Sequence, residues 1–111
     1  MKYLDKKIQL LLSLINSKKI SDAKELNKIL ISEYPKNPFL YNTLGIILSE
    51  EKNFKEAILF YKKGLSINPN FAPIYNNLGN LHRFNKNYKE AENCFKKSIM
   101  LESKNPQAIN N

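Results

Sequence analysis

Two side chains of this 111-residue chain could do covalent or metal chemistry, His82 and Cys94, and each is the one residue of its type. A nucleophile needs a base beside it, and a metal site needs several ligands at a fixed spacing. His82 stands at a helix-face position that leucine occupies twice elsewhere in the chain, and Cys94 has the size of a packing residue. The three glycines fall in helical segments and form no phosphate loop. We therefore expect no enzyme, no metal site and no cofactor.

The cysteine count and the amino-terminal segment indicate the compartment. A single cysteine cannot form an internal disulfide, which favours a reducing compartment. The apolar run from Ile8 to Ile15 follows lysines, as in a signal peptide, but Gln9 and Ser13 interrupt it and no small-residue cleavage site follows. Nothing approaches the ~20 apolar residues of a membrane span. We expect a cytoplasmic protein without a membrane partner.

The formal net charge of +8 raises nucleic acid as a partner, because clustered cations release counterions from phosphate. The pairs Lys62–Lys63 and Lys96–Lys97 lie late in predicted helices, where lysine also complements the helix dipole. No segment of the chain dominates the positive charge. A solvated, lysine-rich exterior is the preferred interpretation, and attraction to RNA or to acidic proteins is the second class of function.

The elements that position these side chains form a repeat. Four residues recur with the same type 34 positions later, Tyr41, Leu44, Gly45 and Ala57, as Tyr75, Leu78, Gly79 and Ala91. A period of this length marks a unit that buries its apolar face only by stacking on copies of itself. The period divides the chain into blocks 4–37, 38–71 and 72–105, with a remnant at 106–111. With 42% apolar residues, the chain is long enough for one domain.

Each block is predicted to hold two helices, because apolar residues recur in two separate stripes at helical spacing. Asn37 before Pro38 is typical of a helix start, and Asn53 with Glu56 has the spacing of a capping box. Prolines disfavour helical geometry in the residue before them. The second helices of the first two blocks should therefore end near Tyr34 and Asn68.

These residues resemble the tetratricopeptide repeat. The motif is Tyr-x-x-Leu-Gly, then an alanine, an aromatic residue and a proline at fixed distances, and the middle block carries it in full as Tyr41, Leu44, Gly45, Ala57, Tyr61 and Pro69. The third block keeps all but the proline. The first block is degenerate, with Leu11 for the glycine and Asn27 for the later aromatic. The resemblance implies an all-α fold of three stacked helix-turn-helix hairpins, a short right-handed α-solenoid that ends in a truncated fourth repeat at 106–111.

In that family the first helices line a concave groove, which implies a scaffold that binds a protein or peptide. The groove positions predicted to contact a peptide are Asn42, Thr43, Ile46, Asn76, Asn77, Asn80 and Arg83. The amides are similar to the asparagine ladder of the O-linked N-acetylglucosamine transferase repeats, which holds extended peptides, although the general abundance of asparagine in this chain is the preferred explanation. The two-carboxylate clamp of chaperone-associated members is absent, since its positions hold residues such as Ile8, Leu12 and Pro73.

The first helix is predicted to be apolar on nearly every side. Its additional stripe, which could support self-association, comprises Ile8, Leu11, Leu12 and Ile15. A helix of this kind is usually covered on both sides, by local packing, by a helix of a partner protein or by a second copy of the chain. Phe95, Ile99 and Met100 would also lack a polar cap, so we expect a segment of a longer protein. The alternative function is a self-association or substrate-recruiting module of a larger multidomain protein, with or without a catalytic domain.

Overall fold

The computed structural model describes residues 2–103, and within that range the chain forms six α-helices and no strand. The helices are α1 Lys2–Asn16, α2 Ile20–Glu33, α3 Pro38–Glu50, α4 Phe54–Ile67, α5 Ala72–Phe84 and α6 Tyr88–Ser103. They pair as three hairpins that stack in chain order, because α2 contacts α3, α4 contacts α5, and α3 also contacts α5. The predicted all-α fold of stacked hairpins is confirmed. The predicted truncated helix at 106–111 lies outside the described residues.

Each hairpin turn places a lysine in the left-handed region of the backbone. Lys18, Lys52 and Lys86 have φ of 63°, 66° and 64° and are separated by the repeat period. In the middle turn the N–H of Lys52 donates to the carbonyl of Ser49 at 3.0 Å, and the next N–H donates to the carbonyl of Leu48 at 2.8 Å. This is the Schellman motif, in which glycine is the usual residue because it has no Cβ. Lysine therefore adopts a strained conformation once in every repeat.

The ends of the helices follow the sequence signals in part. α2 and α4 are capped at their carboxyl ends by Tyr34 and Asn68, as predicted from the prolines that follow. The Asn37 side chain accepts a hydrogen bond from the N–H of Phe39 at 3.0 Å and caps α3, as predicted. The capping box predicted at Asn53 is wrong, since that side chain makes no cap bond. Asn53 follows the left-handed Lys52 at φ −90° and ψ 67°, outside the extended conformation that lets Asn37 cap.

Small and large residues match where the two helices of a hairpin cross. A Cβ added to Gly45 on α3 would lie 2.6 Å from Cδ1 of Tyr61 on α4, and one added to Gly79 on α5 would lie 2.7 Å from Cε1 of Phe95 on α6. Glycine is therefore required for the aromatic ring to pack this closely against the facing helix. The Tyr61 ring in turn belongs to a core cluster with Leu78 and Leu81 of the next hairpin.

The first hairpin reverses this arrangement of sizes. Leu11 stands at the glycine position and Asn27 at the aromatic position, and both are fully buried. The Asn27 amide donates to the carbonyl of Leu40 at 2.9 Å and accepts from the hydroxyl of Thr43 at 2.7 Å, so it joins α2 to α3 of the next hairpin. The prediction that Leu11 could support self-association is wrong, because the side chain is part of the core.

The rest of α1 divides between core and surface. Ile8 and Ile15 are half-buried against the core cluster that contains Leu11. Leu12 and Leu10 are exposed, at 39% and 47%. The apolar stripe of the first helix is thus covered mainly by local packing, and its two exposed leucines remain on the surface. Among residues 2–103, no helix has the length and hydropathy that a bilayer span would need.

Candidate peptide-binding groove

The first helices of the second and third hairpins, α3 and α5, form the sides of an open pocket of about 260 Å³. We call it the α3–α5 pocket, with Ile46 of α3, Tyr61 of α4 and Leu81 of α5 as its floor. Because Tyr61 and Leu81 are only 2% and 5% exposed, the floor is a continuation of the hydrophobic core. The floor of the pocket is therefore part of the close packing of three helices.

A tyrosine hydroxyl is the buried polar group of this floor. Burial raises the pKa of Tyr61 to about 12, and a side-chain hydrogen bond with Ser49, another lining residue, opposes the shift. The phenol is therefore neutral throughout the physiological range. It contributes an apolar ring to the pocket and no charge.

An aromatic pair forms the wall at the turn end of the pocket. The rings of Phe54 and Phe84 lie 5.2 Å apart at 50°, a tilted arrangement that aromatic pairs favour. Phe84 is 62% exposed although it ends α5 directly beside the pocket. The ammonium of Lys52 lies 5.6 Å from the centroid of the Phe84 ring. The wall thus offers an apolar ring face to solvent, with a cation above it.

The amide side chains predicted to bind a peptide lie at the rim and are partly engaged with one another. The Asn77 amide donates to Oδ1 of Asn42 at 2.8 Å, which links α3 to α5. Arg83 donates to Oδ1 of Asn80 at 3.1 Å on the exposed side of α5. Asn77 and Asn80 line the pocket, whereas Asn76 is exposed outside it. The structure therefore brings two of the predicted amides to the pocket and uses Asn42, 6% exposed, mainly within the stack.

Thr43 does not lie in the groove. Its side chain is 1% exposed, and its hydroxyl donates to Asn27 at 2.7 Å and is 3.0 Å from the carbonyl of Leu40. The prediction placed it there because the repeat register equates it with Asn77, but in this repeat the position faces the degenerate first hairpin. We remove Thr43 from the candidate site.

Seven lining residues were absent from the predicted set: Ser49, Glu50, Lys52, Phe54, Tyr61, Leu81 and Phe84. Tyr61 and Leu81 were assigned to the core from the periodicity of apolar residues along their helices. That periodicity does not predict that part of a core side chain also lines a groove. Lys52 lies in a turn, and only its unusual backbone brings it over the pocket. The signal that could have found it is the recurrence of lysine at the same turn position in all three blocks.

Near the pocket the acidic side chain is paired with a cation, whereas two basic side chains have no carboxylate partner among the described residues. Glu50 on the rim pairs with Lys18 of the first hairpin at 3.4 Å, so its charge is partly offset. The other ion pairs among residues 2–103 join Lys24 to Glu51 and Lys96 to Glu92, and none includes Lys52 or Arg83. The turn end of the groove thus carries two cations without a carboxylate partner in this part of the chain.

His82 and Cys94, the two residues that could do covalent or metal chemistry, are in packed positions. Burial raises the pKa of the Cys94 thiol, with nearby Glu90 adding to the shift, so the thiolate is disfavoured. Cys94 packs against the core, and His82 is half-buried, with its Nδ1 buried and without a hydrogen-bond partner among the described residues. Over residues 2–103 no group of three or more His, Cys, Asp or Glu could hold a metal ion. The α3–α5 pocket is thus the candidate functional site.

Solved structures with this fold include three that illustrate its range. MamA 41-end from Desulfovibrio magneticus RS-1 matches with a TM-score of 0.81 and 17% identity over 95% of this chain and 59% of that one. The TPR2B domain of yeast Sti1, in a complex with an Hsp70 peptide, gives 0.84 and 16% over 93% and 82%. The second TPR of Spaghetti (RPAP3), bound to the HSP90 peptide SRMEEVD, gives 0.80 and 15% over 91% and 94%.

These likenesses establish the fold, and the chain spans about three fifths of the matched MamA protein. No curated protein sequence matches the chain. The family model of the tetratricopeptide repeat matches residues 38–71 and 72–105, which together make up more than half of the sequence. With that match and the stacked hairpins just described, the chain belongs to the tetratricopeptide repeat family.

Proposed function

We propose that the chain is a protein-binding scaffold that holds an extended peptide segment along α3 and α5. The α3–α5 pocket carries this proposal, because a rigid apolar depression bordered by amides and cations is open to solvent. Recognition sites commonly combine an apolar concavity with a few polar groups that fix orientation. We retain Ile46, Asn77, Asn80 and Arg83 as peptide-contacting residues, with Asn76 and the partly engaged Asn42 at the margin.

The amides support contact with a peptide backbone. The hydrogen bonds among described residues use the amino group of Asn77 and the carbonyl oxygen of Asn80. Asn77 therefore keeps an acceptor and Asn80 a donor, which together match one peptide unit. In this limited form the asparagine-ladder mode of the O-linked N-acetylglucosamine transferase repeats stays within the proposal.

The solved repeats give this proposal support by analogy. Two of the structures that share the fold hold peptides, one from Hsp70 and one from HSP90.

We also propose residues 4–37 as a degenerate first repeat, supported by the hairpin of α1 and α2 and by the left-handed Lys18. A cytoplasmic location and a non-catalytic role are further parts of the proposal.

Peptide selection on the immobilised 111-residue chain tests this function. A random-peptide phage library is enriched on the chain, and the selected peptides are synthesised and titrated by fluorescence anisotropy. Ile46→Glu places a charge in the floor and should abolish binding, because a buried unpaired carboxylate excludes an apolar side chain. Leu59→Glu is the matched control, since Leu59 is 54% exposed on α4 and does not line the pocket. Selected peptides that bind Ile46→Glu as tightly as the parent chain would contradict the proposal.

A second candidate function is self-association through α1. The exposed side chains of Tyr3 and Leu10, 49% and 47%, favour it, because residues seven apart lie on the same face of a helix. Leu12, 39% exposed, adds an apolar side chain on the other side of α1. The double substitution Leu10→Ser and Leu12→Ser should convert an assembly to a monomer in light scattering if α1 mediates it. A parent chain that is monomeric at millimolar concentration would exclude this candidate.

A further inference from the structure

We infer that the segment held by the α3–α5 pocket carries one large aliphatic or aromatic side chain with a carboxylate close beside it. The apolar side chain enters the pocket, and the carboxylate lies at the turn end, near Lys52 and Arg83. This inference rests on the proposed peptide-binding function and names the chemistry of the peptide.

The size and lining of the pocket determine the first half of the inference. Pockets that hold small-molecule ligands have volumes of roughly 300–1,000 Å³, whereas this one has about 260 Å³ and is open on one side. It accommodates one side chain and is small for a cofactor. Ile46, Leu81 and the exposed ring of Phe84 would bury that side chain against the core, and an amino acid with a charged end would be desolvated there without a partner.

The charges determine the second half. Lys52 lines the pocket and lies over the ring of Phe84, so an apolar side chain in contact with that ring brings its neighbours within reach of the ammonium. Arg83 does not line the pocket, since its guanidinium lies 5.8 Å from the centroid of the Phe95 ring on α6 and donates to Asn80. It is exposed and adds a second positive charge at the margin, beside the lining residue Asn80. Glu50 is the acidic residue of the lining, and Lys18 is paired with it. The net charge of +8 adds a long-range attraction for acidic segments.

The periodicity of the turns places Lys52 over the ring of Phe84. Lys18 reaches from the first turn to Glu50 at the end of α3, and Lys52 reaches from the second turn to the equivalent place at the end of α5, which Phe84 occupies. The same geometry thus forms an ion pair in one repeat and a cation over an aromatic ring in the next. The second arrangement leaves both the cation and the ring accessible to a partner.

Designed peptides test both halves. The probes are nine-residue, end-blocked, fluorescein-labelled peptides with a serine and alanine background, a central Leu, Phe, Ala or Lys, and Glu, Gln or Lys at the two positions on either side. Binding to the full chain is measured by anisotropy. Loss of the central Leu side chain to Ala should weaken binding roughly tenfold to a hundredfold, the range expected for burial of a leucine. Exchange of the flanking Glu for Gln should weaken it a further two- to fivefold, as for exposed ion pairs, and the effect should shrink with added salt.

Variants locate the effects on the protein. Phe84→Ala should remove the preference for a large central side chain, and Lys52→Glu should remove or reverse the preference for acidic flanks. The matched controls are Leu59→Ala and Lys62→Glu, which change exposed residues of α4 outside the pocket and should preserve both preferences. Circular dichroism confirms that each variant is folded.

Four results would overturn all or part of the inference. Equal binding of all central residues, or equal effects of the pocket and control variants, would refute the apolar anchor and leave the proposed function standing. Tighter binding of Lys-flanked peptides would refute the acidic neighbour alone. Failure of these probes and of every selected peptide to bind would refute the proposed function itself, and saturable binding of a single-stranded RNA oligonucleotide in that case would favour the nucleic-acid class.

Discussion

A methyl group added at Gly45 tests the packing that forms the pocket floor. A Cβ at this position would lie 2.6 Å from Cδ1 and Cζ of Tyr61, closer than real contacts of this kind allow. Tyr61 is 2% exposed, so its ring cannot move into solvent. Overpacking of a filled core costs about 1–3 kcal/mol, whereas alanine gains about 1 kcal/mol over glycine within a helix. Gly45→Ala should therefore lower the free energy of unfolding by about 1 kcal/mol.

The decisive assay is a double-mutant cycle in urea. In a Tyr61→Leu background the added methyl group meets a smaller, flexible side chain, so Gly45→Ala should become neutral or stabilising, with a coupling energy of roughly 1–3 kcal/mol. Gly79→Ala gives the comparison within the chain, because its neighbour Phe95 is partly exposed and can move more easily. If Gly45→Ala is equally stabilising with Tyr61 and with Leu at residue 61, the close approach of α3 and α4 does not exist as described.

Three other predictions concern a turn, a titration and the first interface. Lys86→Gly should stabilise the chain by up to about 1 kcal/mol in urea melts, because glycine adopts φ of 64° without a Cβ penalty; destabilisation would refute the strain. Since the pKa of Tyr61 is about 12 when folded and about 10 when unfolded, stability should fall by roughly 2 kcal/mol as pH rises from 10 to 12. The Tyr61→Phe variant should lack that part of the slope, and an unchanged slope would refute the assignment. Asn27→Ala should cost about 1–3 kcal/mol, because the Leu40 carbonyl and Thr43 hydroxyl lose a buried partner; a loss below about 0.5 kcal/mol would show that these groups find other partners.

Repetition made most of the fold predictable from the sequence. Gly45 and Ala57 with their counterparts Gly79 and Ala91 fix where helices approach closely, and prolines mark where α2 and α4 end. The wrong predictions came from local sequence motifs that were interpreted without the conformation of the adjacent residues. The Asn53 capping box has the correct spacing, but the left-handed residue before it imposes a conformation in which the side chain does not cap.

The first hairpin shows why a register does not transfer between unequal repeats. Leu11 was assigned to a surface by its apolar stripe and Thr43 by counting periods, yet both are buried. In the first hairpin Leu11 replaces the glycine of the repeat and Asn27 replaces the aromatic residue. These two replacements change which side chains fill the interface with α3. A pattern of residue types does not encode such a compensating exchange until both helices are placed together.

The candidate site was predictable where the groove faces of α3 and α5 form it, and not where core residues complete its floor. Ile46, Asn77 and Asn80 follow from the helix face that the family uses, and all three line the pocket. Tyr61 and Leu81 are core residues by every sequence criterion, and only the offset between successive hairpins exposes their edges to the groove. The depth of a pocket between helices is a property of packing and cannot be obtained from a one-dimensional pattern.

A chemical-shift titration of the ¹⁵N- and methyl-labelled chain with the tightest selected peptide tests the central claim most directly. Binding in the α3–α5 pocket should shift the signals of Ile46, Asn77, Asn80 and Leu81 and leave those of Leu59 and Lys62 on α4 unchanged. Shifts confined to the exposed side of α4 or α6, with Ile46 and Leu81 unaffected, would contradict the account.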